Sequence, residues 1–173
     1  MLNLILVCFS FFTSIYSISI SSANENINLS DYQGRKILIV NTASKSKYAD
    51  QYASLEQLQQ RFKDSLVIIA VPSNDFDNEP DDNGTLDSSI VANYNIHYLV
   101  AYKTSVTGDS ANAVYKWLTQ QVQNNVADTR VKDDFQKYLI DRNGNLVGFF
   151  ASSVDPMSDE MLSAFTLLTN QNN

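Results

Sequence analysis

The sequence has a single cysteine, Cys8, so the chain forms no internal disulfide and must depend on its hydrophobic core. Cys8 lies in an opening stretch that also has no charged residue. Glycine, proline and histidine are scarce, with 5, 3 and 1 residues, and His97 is therefore the lone histidine available to any catalytic site. Neither an internal repeat nor a low-complexity tract is present, which leaves an ordinary globular domain as the expectation.

The uncharged stretch from Leu2 to Ile20 predicts an export signal outside the fold. Its apolar run Leu4–Phe12 is too short to span a bilayer, and Ser21-Ser22-Ala23 supplies the small residues that signal peptidase requires. We therefore expect residues 1–23 to be a cleaved secretory signal, and residues 24–173 to form one exported domain, periplasmic or secreted. A membrane anchor is the alternative, because no Lys or Arg precedes the apolar run.

Basic residues are the minority charge, with 12 Lys and Arg against 19 Asp and Glu, for a net charge of −7. None of these residues lies in the predicted signal, so the whole net charge belongs to the mature part. A nucleic-acid partner and, after cleavage, a membrane partner are both disfavoured, because each would present negative charge to an acidic protein.

Two short apolar runs predict strands that are buried on both faces. They are Lys36–Asn41 and Leu66–Val71, both rich in β-branched residues. Between them, apolar residues recur at helical spacing from about Asp50 to Lys63, which predicts an amphipathic helix. Strand, helix and strand in this order imply a right-handed crossover and a parallel pair of strands.

The second half of the chain predicts a loop followed by strands, helices and a hairpin. The hairpin is centred on Asn143-Gly144, a strong turn signal between two apolar runs. The last helix has Asp155 as its cap and Pro156 at its first position. The predicted ranges are Asn74–Ser88 for the loop, Ile96–Thr104, Phe135–Ile140 and Leu146–Phe150 for the strands, and Ala113–Val122 and Asp155–Leu168 for the helices.

The segment that follows the first strand resembles the signature of glutathione peroxidases. It reads Asn41-Thr42-Ala43-Ser44-Lys45-Ser46-Lys47-Tyr48, where the family has an Asn-Val-Ala-Ser-like run, a Cys or selenocysteine, and Gly. Further blocks at residues 69–76, 115–118 and 131–144 match the family in order and spacing. The resemblance covers roughly Ile27 to Leu168, and it implies an α/β, thioredoxin-like fold with a central mixed β-sheet flanked by helices.

The resemblance also locates the family's active-site tetrad of Cys or selenocysteine, Gln, Trp and Asn, and all four residues differ here. Ser46 stands at the redox position, Asp75 at the Gln, Asp133 at the Trp and Asp134 at the Asn. A serine hydroxyl cannot pass through the oxidation states that peroxide reduction requires. We therefore expect no peroxidase activity and no cofactor.

A non-catalytic binding or interaction module, with an unknown ligand or protein partner, is the function that these substitutions favour. The resemblance by itself implies the opposite, a hydroperoxide-reducing enzyme of oxidative-stress defence, with glutathione as a possible partner. A second alternative is a cation site, because Asp75, Asp133 and Asp134 would converge near Ser46 and their oxygens suit Ca²⁺ or Mg²⁺. Neutralisation of the carboxylates by Lys45 or Lys47, or their exposure in opened loops, is the simpler explanation.

Ser46 itself has two further interpretations. Its hydroxyl would cap backbone N–H groups before the first long helix if it were only a helix-start residue. It would instead act as a nucleophile if His97, two residues before Leu99, reached it as a base and an aspartate oriented the ring. The second interpretation is weaker, because no nucleophile-elbow glycine motif surrounds Ser46.

Overall fold

A five-stranded mixed sheet forms the centre of the structure, in the strand order β5-β4-β3-β6-β7. The structure is a computed structural model, and it describes residues 13–23 and 25–170. A separate two-stranded pair, β1-β2, lies at the amino-terminal end. The elements are β1 Ser19–Ile20, β2 Ile27–Asn28, β3 Lys36–Thr42, α1 Gln51–Arg61, β4 Leu66–Pro72, α2 Asn83–Tyr94, β5 Leu99–Val100, α3 Ala113–Thr119, α4 Gln121–Asn124, β6 Lys137–Ile140, β7 Leu146–Phe150 and α5 Asp159–Asn170.

Strands β3 and β4 are buried along their whole length, as their continuous apolar sequences predict. They run parallel, with Lys36 opposite Leu66 and Thr42 opposite Pro72. Antiparallel β6 covers the other edge of β3, so β3 is the middle strand of the sheet. The expected mixed sheet is confirmed, and both strands extend one residue beyond their predicted ends.

Helices cover both faces of the sheet, because side chains of a strand point alternately to its two sides. On one face, Leu38 and Ile68 pack with buried residues of α1 and α5, among them Leu55 and Phe165. On the other face, Ile37 and its alternate neighbours pack with α3, including the fully buried residues of the Ala113–Thr119 helix. None of the helices in the described residues is long and apolar enough to cross a membrane.

The amino-terminal segment packs into the domain that is predicted to begin at residue 24. Ile15 and Ile20 are each 1% exposed within the core of the α3 face. Tyr16 donates a hydrogen bond to the Arg142 carbonyl at 3.1 Å, and its ring lies so close to Gly144 that a Cβ there would be 2.7 Å away.

The same segment is tied to the rest of the fold through its backbone. Ser22 forms an antiparallel bridge with Ala101, and the Trp117 indole donates to the Thr13 carbonyl at 2.6 Å. The packed domain therefore includes residues 15–22, and the predicted boundary at residue 23 falls at the end of a structural segment. Residues 1–12 of the predicted signal lie outside the described residues, and cleavage itself stays a prediction.

Two segments that precede α3 in the chain differ from their predicted secondary structure. The predicted loop Asn74–Ser88 ends early, because α2 begins at Asn83. The predicted strand Ile96–Thr104 is reduced to Leu99–Val100. The regular ladder with β4 ends there because the Lys103 N–H donates to the Asn83 side chain at 2.6 Å, although Ala101 and Thr104 still donate to β4 carbonyls. On its other side this segment meets the amino-terminal segment, where the Tyr102 N–H donates to the Ser21 carbonyl at 2.7 Å.

Two helices also have different bounds from those predicted. The helix predicted over Ala113–Val122 breaks at Gln120, whose extended backbone separates α3 from α4. The last helix begins at Asp159, four residues late, because Asp155 caps a separate turn: its carboxylate accepts from the Met157 N–H at 2.7 Å and from the Ser54 hydroxyl at 2.9 Å. The hairpin turn is as predicted, with Gly144 at φ +86°.

A buried lysine fixes β6 to the chain that follows β7. Lys137 is fully buried, and its ammonium group donates to the carbonyls of Ser152 at 3.2 Å and Val154 at 2.6 Å. Burial lowers the pKa of Lys137 to about 7, because the charged form is poorly solvated there. Gln51 of α1 donates to the same Ser152 carbonyl, so this point joins the sheet to the helix that follows the candidate site.

Candidate functional site

Ser46 lies in the turn that joins β3 to α1, and it is 7% exposed. Its backbone N–H donates to the Ala43 carbonyl at 3.3 Å, and its hydroxyl accepts from the Tyr48 N–H at 3.3 Å. The Ala49 N–H closes the turn by donating to the Ser46 carbonyl at 3.0 Å. The hydroxyl thus caps backbone ahead of α1, as its interpretation as a helix-start residue expects.

Asp134 is fully buried beside Ser46. One carboxyl oxygen, Oδ2, accepts from the Asn78 amide at 2.7 Å, whereas Oδ1 has no hydrogen-bond partner among the described residues. Burial raises the pKa of Asp134 above its usual value, although the Asn78 amide and the nearby Ser46 hydroxyl act in the opposite direction. This carboxyl group therefore favours the neutral, protonated form more than an exposed aspartate does.

Asn41, near the end of β3, holds the Asp133-Asp134 loop in place. Its side-chain amide donates to the Asp133 backbone carbonyl at 3.0 Å, and its backbone carbonyl accepts from the Phe135 N–H at 2.6 Å. Phe135 has φ +59°, a left-handed conformation that is uncommon for a bulky residue. The loop that carries two of the predicted site residues is consequently fixed to the central strand.

Asp133 forms an ion pair across the turn that contains Ser46. Its Oδ2 is 3.2 Å from the Lys47 ammonium nitrogen, whose side chain is 70% exposed. The hydrogen bond with Asp133 raises the pKa of Lys47. The pair is open to solvent and so contributes little to stability, but it satisfies one of the three predicted carboxylates. This is the neutralisation by Lys47 that the sequence left as the simpler explanation.

Asp75 is directed to a different part of the chain. Its Oδ2 accepts from the N–H groups of Val106 at 2.7 Å and Thr107 at 2.8 Å, and from the hydroxyls of Ser105 and Thr107. Partial burial raises the pKa of Asp75, but these hydrogen bonds outweigh it and hold the pKa below its usual value. Asp75 therefore stabilises the 105–107 turn as an ionised carboxylate.

The three aspartates do not form the cation site considered for them. Within residues 13–23 and 25–170 no group of three or more His, Cys, Asp or Glu side chains is arranged to hold a metal ion. Asp133 and Asp134 are brought together with Ser46, whereas Asp75 is bound to the 105–107 turn. The geometry lends the predicted cation site no support.

His97 is engaged by Glu56 of α1. Its Nδ1 is 2.9 Å from Glu56 Oε1, and its backbone N–H donates to Glu56 Oε2 at 2.7 Å. Among the described residues no hydrogen bond joins His97 to Ser46, so the base required for a hydrolytic site is not in place. The two hydrogen bonds between Glu56 and His97 instead hold the chain before β5 against α1.

Two polar residues next to the site were not identified from the sequence. Asn78 binds Asp134, and Glu79 is fully buried, where it accepts from the backbone N–H of Ser44 at 2.6 Å and from its hydroxyl at 2.8 Å. Both lie in the segment predicted as a polar surface loop. Asn and Glu are ordinary residues of a solvated loop, so the sequence contains no signal that would have marked these two as part of the site.

The floor of the site has polar atoms that lack partners. Thr42 Oγ1 and Tyr52 OH are buried without a hydrogen-bond partner of good geometry among the described residues, as is Asp134 Oδ1. Burial raises the pKa of Tyr52, so its hydroxyl stays protonated. The site can therefore offer hydroxyl, amide and carboxyl groups, but the residues around Ser46 include no sulfur atom.

Comparison with known protein families identifies the family of this chain. The family model described as Glutathione peroxidase matches residues 15–119, a range that begins at the buried Ile15. A glutathione peroxidase homologue from Halalkalibacterium halodurans is 37% identical over 147 residues, 83% of this chain and 93% of that protein. A glutathione peroxidase-like peroxiredoxin from Chlamydomonas reinhardtii is 36% identical over 74% of this chain and 80% of its own length.

Solved structures agree with the fold. The crystal structure of Trgpx in apo form superposes with a TM-score of 0.67 at 31% identity, covering 89% of this chain and 96% of that one. A thioredoxin-family thiol:disulfide interchange protein from Chlorobium tepidum gives a TM-score of 0.63 at 13% identity, covering 91% and 97% of the two chains. The second likeness concerns the fold alone, and together they confirm the expected thioredoxin-like architecture.

Proposed function

Because this chain belongs to the glutathione peroxidase family, we propose that it keeps the family's fold as a binding module and does not reduce hydroperoxides. The observation that carries the proposal is Ser46, buried in the turn between β3 and α1 with its hydroxyl engaged in capping. By the resemblance, this turn is where the family has its reactive sulfur or selenium.

The chemistry of the reaction explains why this residue decides the function. Peroxide reduction needs an atom that accepts oxygen and is then reduced by a thiol, as sulfur does when a thiolate becomes a sulfenic acid. An alcohol oxygen has no such pair of oxidation states, and it stays protonated at neutral pH. The only cysteine of the chain, Cys8, lies outside the described residues.

The surroundings of Ser46 support the same conclusion. The buried Asp134 carboxyl and the Asp133 carboxylate present acceptor atoms and negative charge, which disfavour an anionic nucleophile next to them. Lys47, next to Ser46 in the sequence, is bound to Asp133. The charges around Ser46 therefore disfavour a thiolate at this position.

Export is the second part of the proposal. It is supported by the uncharged, apolar sequence of residues 2–12, which precedes the packed segment. A cleavage that leaves the fold intact would have to lie before Ile15, since the residues that follow are part of the core. Detection of the processed amino terminus after expression with the native leader tests this step.

A coupled peroxidase assay tests the catalytic part. The purified protein is given hydrogen peroxide with glutathione or with thioredoxin and its reductase, and consumption of NADPH is followed. We expect the same rate from the wild type, from S46A and from C8S, equal to the rate without protein. The family activity that the relatives' names describe is the alternative, and any turnover by the wild type above that background would overturn the proposal.

A further inference from the structure

An open cavity lies beside the Asp133-Asp134 loop rather than at Ser46. It has a volume of about 530 Å³ and is bounded by the 128–132 segment on one side and by β7 on the other. That volume is within the range of small-molecule sites in proteins. Its principal lining residues are Asp128, Thr129, Arg130, Lys132, Gln136 and Phe149.

Two cations line this cavity without a carboxylate partner. The charged groups of Arg130 and Lys132 make no hydrogen bond or ion pair within the described residues, where the ion pairs are Lys47–Asp133 and His97–Glu56. The one acidic residue in the wall, Asp128, is already engaged, since its Oδ1 accepts from the Gln121 N–H at 2.7 Å. The cavity is therefore locally basic on a protein whose net charge is −7.

Gln136 fixes the backbone that carries the two cations. Its buried side chain accepts from the Lys132 N–H at 3.2 Å and donates to the Arg130 carbonyl at 3.0 Å and to the Tyr138 hydroxyl at 2.7 Å. The backbone on both sides of Val131 is thus fixed before any ligand arrives. Such pre-organisation lowers the entropic cost of binding.

Phe149 gives the cavity an apolar wall. It lies on β7 opposite the fully buried Tyr138, with ring centroids 6.3 Å apart, and 54% of it remains exposed. A large aromatic side chain that is half exposed next to two unpaired cations is a combination that neither solubility nor the core requires. An aromatic ring can stack on it while an acidic group reaches the cations.

We propose that this cavity binds a small organic anion, a carboxylate or sulfonate attached to a flat apolar ring system. The anionic group pairs with Arg130 and Lys132, and the ring lies against Phe149. The inference rests on the proposed function, because it gives the binding module a ligand class and places the ligand next to the inactive site instead of on Ser46.

Fluorescence titration with two matched probes tests the proposal. The anionic probe is 8-anilino-1-naphthalenesulfonate, and the neutral control is N-phenyl-1-naphthylamine, which has the same rings without the sulfonate. We expect saturable one-site binding of the anionic probe only. R130Q and K132Q should each weaken it about fivefold, the effect of about 1 kcal/mol for a solvent-accessible charge pair. F149S should weaken binding as well.

Variants elsewhere on the surface serve as matched controls. K63Q removes an exposed cation, and V122S removes the side chain of a valine that is 76% exposed, and neither should alter the titration. Equal binding of both probes, or equal affinity in R130Q, K132Q and the wild type, would overturn the inference. Peroxidase turnover would overturn the proposed function and leave the probe result standing, so the two failures are distinguishable.

Discussion

Asp134 is the residue of the candidate site whose burial has the clearest energetic consequence. A carboxyl group without solvent contact and with one unpartnered oxygen is costly to ionise. The family has Asn at this position, by the resemblance found in the sequence. An amide there would still accept from Asn78 and would have no charge to desolvate.

We predict that D134N raises the free energy of unfolding at pH 8 by about 1 kcal/mol, because it removes a buried charge that is costly to desolvate. The pKa of Asp134 is raised in the folded state, so the residue destabilises the fold once the pH exceeds the ordinary aspartate pKa. At pH 3, where the group is protonated in both states, the gain should vanish. Urea unfolding at both pH values measures this difference.

The neighbouring residue provides the control for that prediction. D133N removes a carboxylate that is solvent-accessible and paired with an exposed lysine. The difference in stability between D133N and the wild type should therefore be small at both pH values. A D134N protein that is less stable than the wild type at pH 8 would contradict the assignment of Asp134 as a destabilising buried acid.

The sequence located part of this site and could not locate the rest. Ser46 and the Asp133-Asp134 pair follow from motif positions that are fixed to β3, so matching the motif was enough to place them together. The direction of Asp75 depends instead on the turn at residues 105–107, about thirty positions along the chain. Side-chain direction in a loop is set by tertiary contacts that a one-chain sequence pattern does not contain.

At the scale of elements, the amino-terminal segment shows that one composition fits two different roles. Residues 13–22 are uncharged, apolar and rich in serine, which suits both a signal peptide and a segment that forms a 3₁₀ turn and a short strand packed on the core. By contrast, β3 and β4 were predicted to within one residue, because seven consecutive buried positions leave a continuous apolar run. The β5 prediction was too long, since Ala101 and Tyr102 pair with the amino-terminal segment and the Lys103 N–H donates to the Asn83 side chain.

Truncation tests the role of the amino-terminal segment. A chain that begins at residue 13 should unfold cooperatively, whereas one that begins at residue 24 should be largely unfolded at 25 °C. Removing the buried side chains of Ile15, Ile18 and Ile20 forfeits about 5 kcal/mol of burial energy, which is comparable with the whole stability of a typical domain. Thermal melts followed by circular dichroism measure the difference.

Equal melting temperatures for the two truncated chains would contradict this role and would support the predicted domain boundary at residue 23. A milder variant checks the same contact without shortening the chain. Y16F removes the hydrogen bond to the Arg142 carbonyl and retains the ring that packs on Gly144, so it should lower stability only slightly.

For the molecule as a whole, charge determines behaviour in solution more than it determines the fold. The sheet and its two helical layers bury the apolar residues, and 19 acidic against 12 basic side chains lie almost entirely outside them. Lys36, Lys137, Glu79 and Asp134 are the charged residues that are buried among those described. The excess negative charge is thus a surface property, and it keeps molecules apart at neutral pH.

We predict that the protein is least soluble near pH 4.5, the isoelectric point expected from its sequence. Mutual repulsion vanishes there, so exposed apolar side chains such as Phe149 and Val122 can associate. Ammonium sulfate solubility between pH 3.5 and pH 8 measures the effect. A circular dichroism spectrum at pH 4.5 that matches the one at pH 7 separates association from unfolding.

Because the repulsion is electrostatic, V122S should raise solubility at pH 4.5 and have little effect at pH 8. A solubility minimum at a pH far from 4.5 would mean that a local surface patch, and not net charge, controls association.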